Sequence, residues 1–406
     1  MEWLRHQGES GVNSWSMNKT SEFLSRLDYI VLSLLGILAT ISFVSLFHVQ
    51  DLELTTDHYI KKQLIWYALS GGLLLLVTMI DLSVFKQLAV YIYIFSLLFL
   101  AGILVAPEDI APIINGAKGW YRIGPFSIQP AEFMKIGLIL VLSRTAARTE
   151  TDSRPLSEIK FLLKMGIYLV PLIFLMQRFP DLGNLLVYLV IFLSVLLVAN
   201  LRMSTLLIMI SIPVFSLIAL FFLYMYYPDF FFNQVLGVLP DYQANRFYGW
   251  LKPFEYPEEG YQLRQSLLSI GAGHLYGLSS LEYFPNVPYA YSDFIFAVIA
   301  GIYGFLGASL VIIVYFLLIY RITLIAVHYQ DPFGSYVGAG VIGMLAFQVF
   351  QNVGMSVGIV PITGIVLPFI SYGGSSLIAS MIAVGLVINM KMRTKKYMFE
   401  TNLSAK

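Results

Sequence analysis

The apolar runs of this chain follow one another almost without interruption, each close to the length of a membrane crossing. A helix rises 1.5 Å per residue, so about 20 apolar residues span the hydrocarbon core of a bilayer. Ten stretches approach that length, near 29–48, 63–83, 87–106, 130–147, 162–179, 183–200, 204–227, 293–320, 335–358 and 365–390. The pattern predicts an all-α, polytopic integral membrane protein of about ten transmembrane helices. The fourth stretch is the least apolar, because Glu132 and Lys135 fall in its first turns. Two connections are long, 107–129 and 228–292, and the second far exceeds an ordinary loop. Aromatic and charged residues alternate through it, which predicts an ordered segment, and its "FFFNQVLG" suits a membrane surface. The first apolar run is longer than the core of a cleavable signal, so it is expected to remain as a helix.

Composition agrees with the pattern. Hydrophobic residues make up 58% of the 406 and charged residues 12%, against roughly a quarter charged in soluble domains. A net charge of +1 gives no field for nucleic acid, and the lack of cysteine excludes disulfides and thiolate metal sites. The five histidines are scattered, which speaks against a histidine metal site. Charge also sets the orientation. With the N-terminus inside and the runs alternating, sixteen of the 25 Lys and Arg face the cytoplasm, as the positive-inside rule requires. Both termini are then cytoplasmic, and 107–129 and 228–292 lie outside.

Polar residues from distant stretches collect at that outer level. They include Trp120, Arg122, Gln129, Glu132 and Lys135, then Asp181, then Arg246 and Gln262, and Asp293 where the long segment re-enters the apolar region. Ionisable groups at membrane depth are costly and face a cavity or one another. Glu132 and Lys135 stand three apart, which suits a local ion pair as well as a chemical role. Trp120 fits an interfacial aromatic belt or a surface for stacking substrate. Asp293 at a helix start fits an N-cap. It equally fits a general base, because apolar surroundings raise a carboxyl pKa toward the working range.

The stretches "NGAKGWYRIGPFSIQPAEFMK", "PDLGN", "GYQLRQSLLSIGAGHLYG", "SDFIFAVI" and "FQVFQNVGMSVGIVPITGIVLPFISYGGSSL" resemble the motifs of the SEDS family of RodA, FtsW and SpoVE. The resemblance runs in order over 28–391. It divides the chain into a cytoplasmic segment 1–27, a transmembrane domain 28–391 with the outer segment 228–292, and a cytoplasmic tail 392–406. It implies a ten-helix peptidoglycan glycosyltransferase of the bacterial cytoplasmic membrane that polymerises lipid II at the outer face, in elongation, division or sporulation. The implied partner is a class B penicillin-binding protein. The family's essential Asp corresponds to Asp293, its Trp to Trp120, its Lys to Lys135 and the Arg before "GYQ" to Arg246. With that chemistry, Asp293 takes the proton of the attacking sugar hydroxyl. Lys135, Arg246 and Arg122 face the leaving pyrophosphate, and Glu132, Asp181, Gln262 and Trp120 contact substrate. A divalent cation, Mg or Mn, could share the load on the pyrophosphate oxygens.

The chain departs from the family pattern around the key Asp. Tyr291 and Ser292 replace a His-Thr pair, and Gly301 and Ile302 stand where two Glu are usual. That loss bears on any role those acids serve, and it keeps a non-catalytic scaffold for a transpeptidase in view. A lipid II flippase is the other alternative, although such a protein needs polar groups through the midplane and the charges here crowd at one face. In the C-terminal motif, Pro361, Pro368 and the "GGSS" run fit either close helix packing or the lining of a cavity.

The topology is directly testable. Impermeant-label mapping of single tags is expected to find both termini and the 148–160 connection inside and 228–292 outside, and an inside location for 228–292 would overturn the orientation.

Overall fold

The structure is a computed structural model. It describes residues 25–53, 58–113, 118–124, 126–149, 155–179, 181–280 and 284–393. Most of the expected N-terminal segment 1–27 and of the tail 392–406 lies outside these residues. In order, the helices are α1 (Tyr29–Glu53), α2 (Tyr59–Met79), α3 (Leu82–Val105), α4 (Pro130–Arg148), α5 (Pro155–Gly166), α6 (Val170–Arg178), α7 (Leu182–Val198) and α8 (Met203–Tyr226). Within the long connection lie α9 (Asp241–Leu251) and α10 (Tyr261–Ala272), and after it come α11 (Ile295–His328), α12 (Pro332–Ser356) and α13 (Gly374–Arg393). A short antiparallel hairpin, β1 (Tyr121–Ile123) and β2 (Phe126–Ile128), pairs Arg122 with Ser127 ahead of α4. The apolar pattern did not predict it.

Every predicted stretch overlaps a helix. Eight segments have the length and composition of a crossing, one of them joining α5 and α6 as Leu156–Arg178. Of the remaining two, α7 is apolar but has 17 residues. Helix α4 carries Glu132, Lys135, Arg144 and Arg148, and it tolerates them because it sits at the centre. It packs on α3, α7, α12 and α13, so most of its residues are buried, and Glu132 and Lys135 face protein instead of lipid. Helix α8 is the opposite case: among its residues none is buried. Its start is held by the buried Glu158 carboxylate of α5, which accepts from Arg202 N at 2.8 Å and Thr205 Oγ1 at 2.6 Å.

Two predicted spans are broken, and the breaks shape the molecule. The stretch expected to be helical from 365 is not helical before Gly374; residues 357–373 run as irregular backbone between α12 and α13. Pro361 and Pro368 remove two donors and clash with a preceding turn, so a helix cannot form there. Ser42 Oγ donates to Ile370 O at 2.6 Å, Tyr67 OH to Phe369 O, and Tyr315 OH to Pro368 O. Those donors lie in the interiors of α1, α2 and α11, so the segment dips to mid-helix depth. Helix α11 breaks at Gly304 (φ 65°, ψ −163°). The turn after α10 inserts there: Phe305 N donates to His274 O at 2.9 Å, Leu306 N to Leu275 O at 3.2 Å, and Leu278 N to Gly301 O at 3.0 Å. Backbone groups released by the break are thus paired across the gap.

At the helix ends remote from the starts of α11 and α13, charges pair. The buried Asp28 meets Arg321 at 2.8 Å and Lys391 at 2.7 Å, and Arg393 pairs with Asp81. Arginine and lysine near the C-termini of α11 and α13 are therefore fastened to the start of α1 and α3.

A Cβ at Gly304 would stand 2.5 Å from Gly277 N and 2.6 Å from Leu275 O, in a backbone conformation that side chains avoid. Gly304→Ala is expected to destabilise the protein by about 1–3 kcal/mol, read as a lowered midpoint of thermal unfolding in detergent, and an unchanged midpoint would contradict the role given to this break.

Candidate active site

Five helices begin around one cavity of about 1040 Å³. Glu132 enters it from the first turn of α4, Asp181 and Asn184 from α7, Tyr261 and Gln262 from α10, Asp293 from the turn before α11, and Ser375 and Ser376 from α13. A helix start carries free N–H groups and about half a positive charge. Five such ends, with Arg246 and Lys118 on the wall, make the cavity receptive to an anion. The aromatic wall is formed by Trp66, Trp120, Phe126, Tyr289, Tyr291 and Tyr372. Tyr291 stacks on Tyr59 with ring centroids 4.7 Å apart.

Asp293 does not hold the N-cap position. Helix α11 starts at Ile295 behind Phe294, which makes no side-chain cap. The turn before it is tight: Tyr289 has φ 54°, and its carbonyl accepts from Ser292 N at 3.0 Å and Phe294 N at 3.3 Å. Burial pushes the Asp293 carboxyl above the usual carboxylate range, opposed by the Ser292 hydroxyl and the Arg246 guanidinium. Irregular backbone passes beside both charged groups. At Gly364 (φ 74°) a Cβ would lie 3.5 Å from Asp293 Oδ2 and 3.8 Å from Arg246 Nη2.

The turn is fastened to the 357–373 segment at three points. Asn352, fully buried on α12, donates through Nδ2 to Asp293 O and to Ile365 O, each at 2.8 Å. Ser371 Oγ donates to Ser292 O at 2.6 Å, and Tyr372 N to Tyr291 O at 2.8 Å. Arg246 is placed by α9, which Trp250 anchors by donating to Gly358 O at 2.8 Å.

Of the residues singled out from sequence, Asp293, Trp120, Glu132, Asp181, Arg246 and Gln262 line the cavity. Lys135 and Arg122 do not. Lys135 is 1% exposed and lies behind Glu132, whose Oε1 it meets at 2.6 Å, because one turn of α4 brings them together. Arg122 is exposed on the hairpin, at the rim, sharing a face with its cross-strand partner Ser127. Lys118, Asn184, Thr363 and Asn352 went unremarked by residue-level reasoning. Asn352 carried a signal, an amide inside an apolar helix, and Asn184 and Thr363 sit in stretches noted only as motifs. The departure at Gly301 has a steric basis: a Cβ there would stand 2.5 Å from Ser269 Oγ and 2.8 Å from the Phe284 ring. Among the described residues no group of three His, Asp or Glu side chains could hold a metal ion.

Known proteins of one family match this chain in sequence and in fold. The family model described as cell cycle protein, for FtsW, RodA and SpoVE, matches residues 25–396. Stage V sporulation protein E of Bacillus subtilis is 32% identical over 292 residues, covering 71% of this chain and 75% of that protein. A probable peptidoglycan glycosyltransferase FtsW of Aliivibrio salmonicida is 30% identical over 351 residues, covering 84% and 82%. A solved chain from a peptidoglycan synthase complex that coordinates polymerization and crosslinking superimposes with a TM-score of 0.73 at 27% identity, covering 90% of this chain and 97% of that one.

Replacing Asn352 with Leu keeps the volume and removes both donated bonds, leaving the Asp293 and Ile365 carbonyls unpaired. Loss of about 1–3 kcal/mol is expected, measured by denaturant unfolding of the detergent-solubilised protein, and a stability equal to wild type would reject the fastening role.

Proposed function

The chain belongs to the cell cycle protein family of FtsW, RodA and SpoVE, and from that premise we propose that it polymerises lipid II with Asp293 as general base. It is a multi-pass protein of the bacterial cytoplasmic membrane and a peptidoglycan glycosyltransferase. The observation that carries the assignment is the raised, cavity-facing carboxyl of Asp293 beside Arg246, among five helix starts.

The step balances as follows. The 4-hydroxyl of the acceptor sugar gives its proton to the Asp293 carboxylate while its oxygen attacks the donor anomeric carbon. The bond from that carbon to the lipid pyrophosphate breaks, and the pyrophosphate leaves with the electron pair. Its developing charge meets Arg246 and the helix N-termini. Lys135 acts one layer back, holding Glu132 in place, and Arg122 at the rim suits the approach of an anionic headgroup. Trp120 and the tyrosines offer surfaces for sugar rings. A divalent cation held on the pyrophosphate oxygens would add to the charge stabilisation that Arg246 supplies.

The cavity opens at the end where α4, α7, α11 and α13 begin, and the paired Asp28, Arg321, Lys391 and Arg393 lie at the other. The positive-inside rule makes the cationic end cytoplasmic and the cavity end external. A lipid-borne sugar on the outer leaflet then meets Asp293 where the long connection returns to the membrane. A class B penicillin-binding protein is the expected partner, in keeping with the synthase complex that contains the solved chain to which this one is similar.

Asp293→Asn tests the base. Polymerisation of labelled lipid II is expected to fall by roughly 10²–10⁴-fold in a folded variant, and near-normal product would reject the role. The pH dependence has a definite sign. A base works ionised, so the rate climbs as pH rises through the elevated native pKa and then levels. Stability runs the other way: the native state holds this proton more tightly than the unfolded chain, so the carboxyl costs nothing below its unfolded pKa and most above its native pKa. Asp293→Asn is therefore expected to melt above wild type at neutral pH and level with it in acid.

A further inference from the structure

Charge is paired unevenly at the helix ends remote from the cavity. Arg321 and Lys391 meet Asp28, Arg393 meets Asp81, Lys86 meets Asp331 and Arg202 meets Glu158. Among the described residues, these pairs engage every acid at that end. Arg144 and Arg148 on α4, and Lys160 and Lys164 on α5, meet no carboxylate among the described residues. The connection between the two helices adds Glu150, Asp152 and Arg154 by sequence, two acids and one base, a net −1 against those four cations.

The four cations share one patch because the two helices are fastened to each other there. Lys164 Nζ donates to Thr149 Oγ1 at 3.0 Å, which sets its ammonium beside the residue that follows Arg148. Just inside that bond, Thr145 Oγ1 donates to Tyr168 OH at 3.3 Å. Arg144 and Arg148 stand four apart, on one face of α4. On α5, Glu158, Phe161 and Met165 are buried. Leu156, Ile159, Lys160 and Leu163 recur at the spacing of the opposite face, and the three apolar side chains are each more than half exposed. That face opens a membrane-length segment, Leu156–Arg178. Lys164 stands about 12 Å along it from Leu156, and Arg144 is one turn inside the end of α4.

Cations set inward from a helix end, beside apolar surface, are unfavourable until an anion reaches them. A soluble anion gains nothing from exposed leucine and isoleucine, and it must leave water to reach Lys164. A zwitterionic lipid brings its own cation. An anionic phospholipid carries its phosphate at this level and lays its chains along the helix below. We propose that α4 and α5 form a binding site for one anionic phospholipid of the leaflet remote from the cavity, the cytoplasmic leaflet in the orientation given above. Its phosphate meets Arg148, Lys160 and Lys164, with Arg144 one turn further in, and an acyl chain covers Leu156, Ile159 and Leu163. The site lies apart from the cavity, and its ligand is not the substrate.

The test titrates the full-length protein in detergent with phosphatidylglycerol or phosphatidylcholine of the same acyl chains and counts retained lipids by native mass spectrometry. Wild type is expected to retain one phosphatidylglycerol at concentrations where phosphatidylcholine is not held. The triple variant Arg148→Gln, Lys160→Gln, Lys164→Gln changes exposed side chains, and its phosphatidylglycerol affinity is expected to fall by about 10–100-fold. Its thermal unfolding midpoint without added lipid reports that it is folded. If it is not, the single Lys160→Gln at the surface is expected to weaken binding about fivefold. Lys160→Arg with Lys164→Arg keeps the charge and is expected to keep the lipid. Lys61→Gln with Lys62→Gln removes two charges at the opposite end of the molecule and is expected to change nothing. Wild type without a preference between the lipids, or a preference that survives the Gln substitutions, overturns the site. An equal loss in the Lys61 and Lys62 variant overturns it in favour of diffuse surface charge. Displacement of the lipid by inorganic phosphate overturns it in favour of a soluble anion.

Discussion

Backbone that leaves helical geometry at membrane depth must find a partner for each freed N–H and C=O, because the bilayer supplies none. The architecture of this protein around its cavity is governed by that requirement. Residues 357–373 cannot be helical, with Pro361 and Pro368 among them, and so they draw donors from every side. Carbonyls from Pro361 to Ser371 are met by Gln351, Asn352, Tyr315, Tyr67, Ser42 and Gln63. These side chains lie on α12, α11, α2 and α1. Satisfying one irregular segment therefore fixes the mutual placement of four helices, and the same bonds bring Gly364 beside Asp293.

The break in α11 obeys the same rule and has a different consequence. The turn of residues 273–278 supplies the missing partners at Gly304, so α10 is joined to the helix that follows Asp293. Glycine is required on both sides: a Cβ on Gly304 (φ 65°) would stand 2.5 Å from Gly277 N, and one on Gly277 (φ 100°) 1.8 Å from Ile302 O. Close packing here also excludes a larger residue at Gly301. Helices α9 and α10 thus form part of the cavity wall, with Arg246 and Gln262 positioned by helices that the 357–373 backbone and α11 hold in place. Helix α8 stands apart from this arrangement; none of its residues is buried, and its first turn is tied to the bundle at Glu158.

Charge inside the cavity is handled by pairing and by layers. Glu132 and Lys135 are both deeply buried and neutralise one another, which keeps a carboxylate oxygen at the wall without a free charge behind it. Asp293 faces Arg246 across Gly364, yet burial outweighs that cation and its pKa is raised. One carboxyl is paired with a lysine on its own helix, and the other is buried where a raised pKa suits it to exchange a proton.

The sequence by itself determined the membrane class, the approximate place of every apolar helix and the crowding of polar residues at one level. These follow from composition and period, which lipid reads directly. It also marked Asp293, Trp120, Glu132, Asp181, Arg246 and Gln262, through motifs whose residues do meet at the cavity. Only the tertiary structure decided which charges face the cavity and which stand behind it. Lys135 and Arg122 carry the right chemistry at the right level, yet helix phase turns the first inward onto Glu132 and the hairpin leaves the second at the rim. The contribution of Asn352, Thr363 and the 357–373 backbone was equally out of reach of sequence reading. Their meaning lies in hydrogen bonds between segments far apart in the chain, and an apolar run with two prolines looks like a span until the partners of its carbonyls are known.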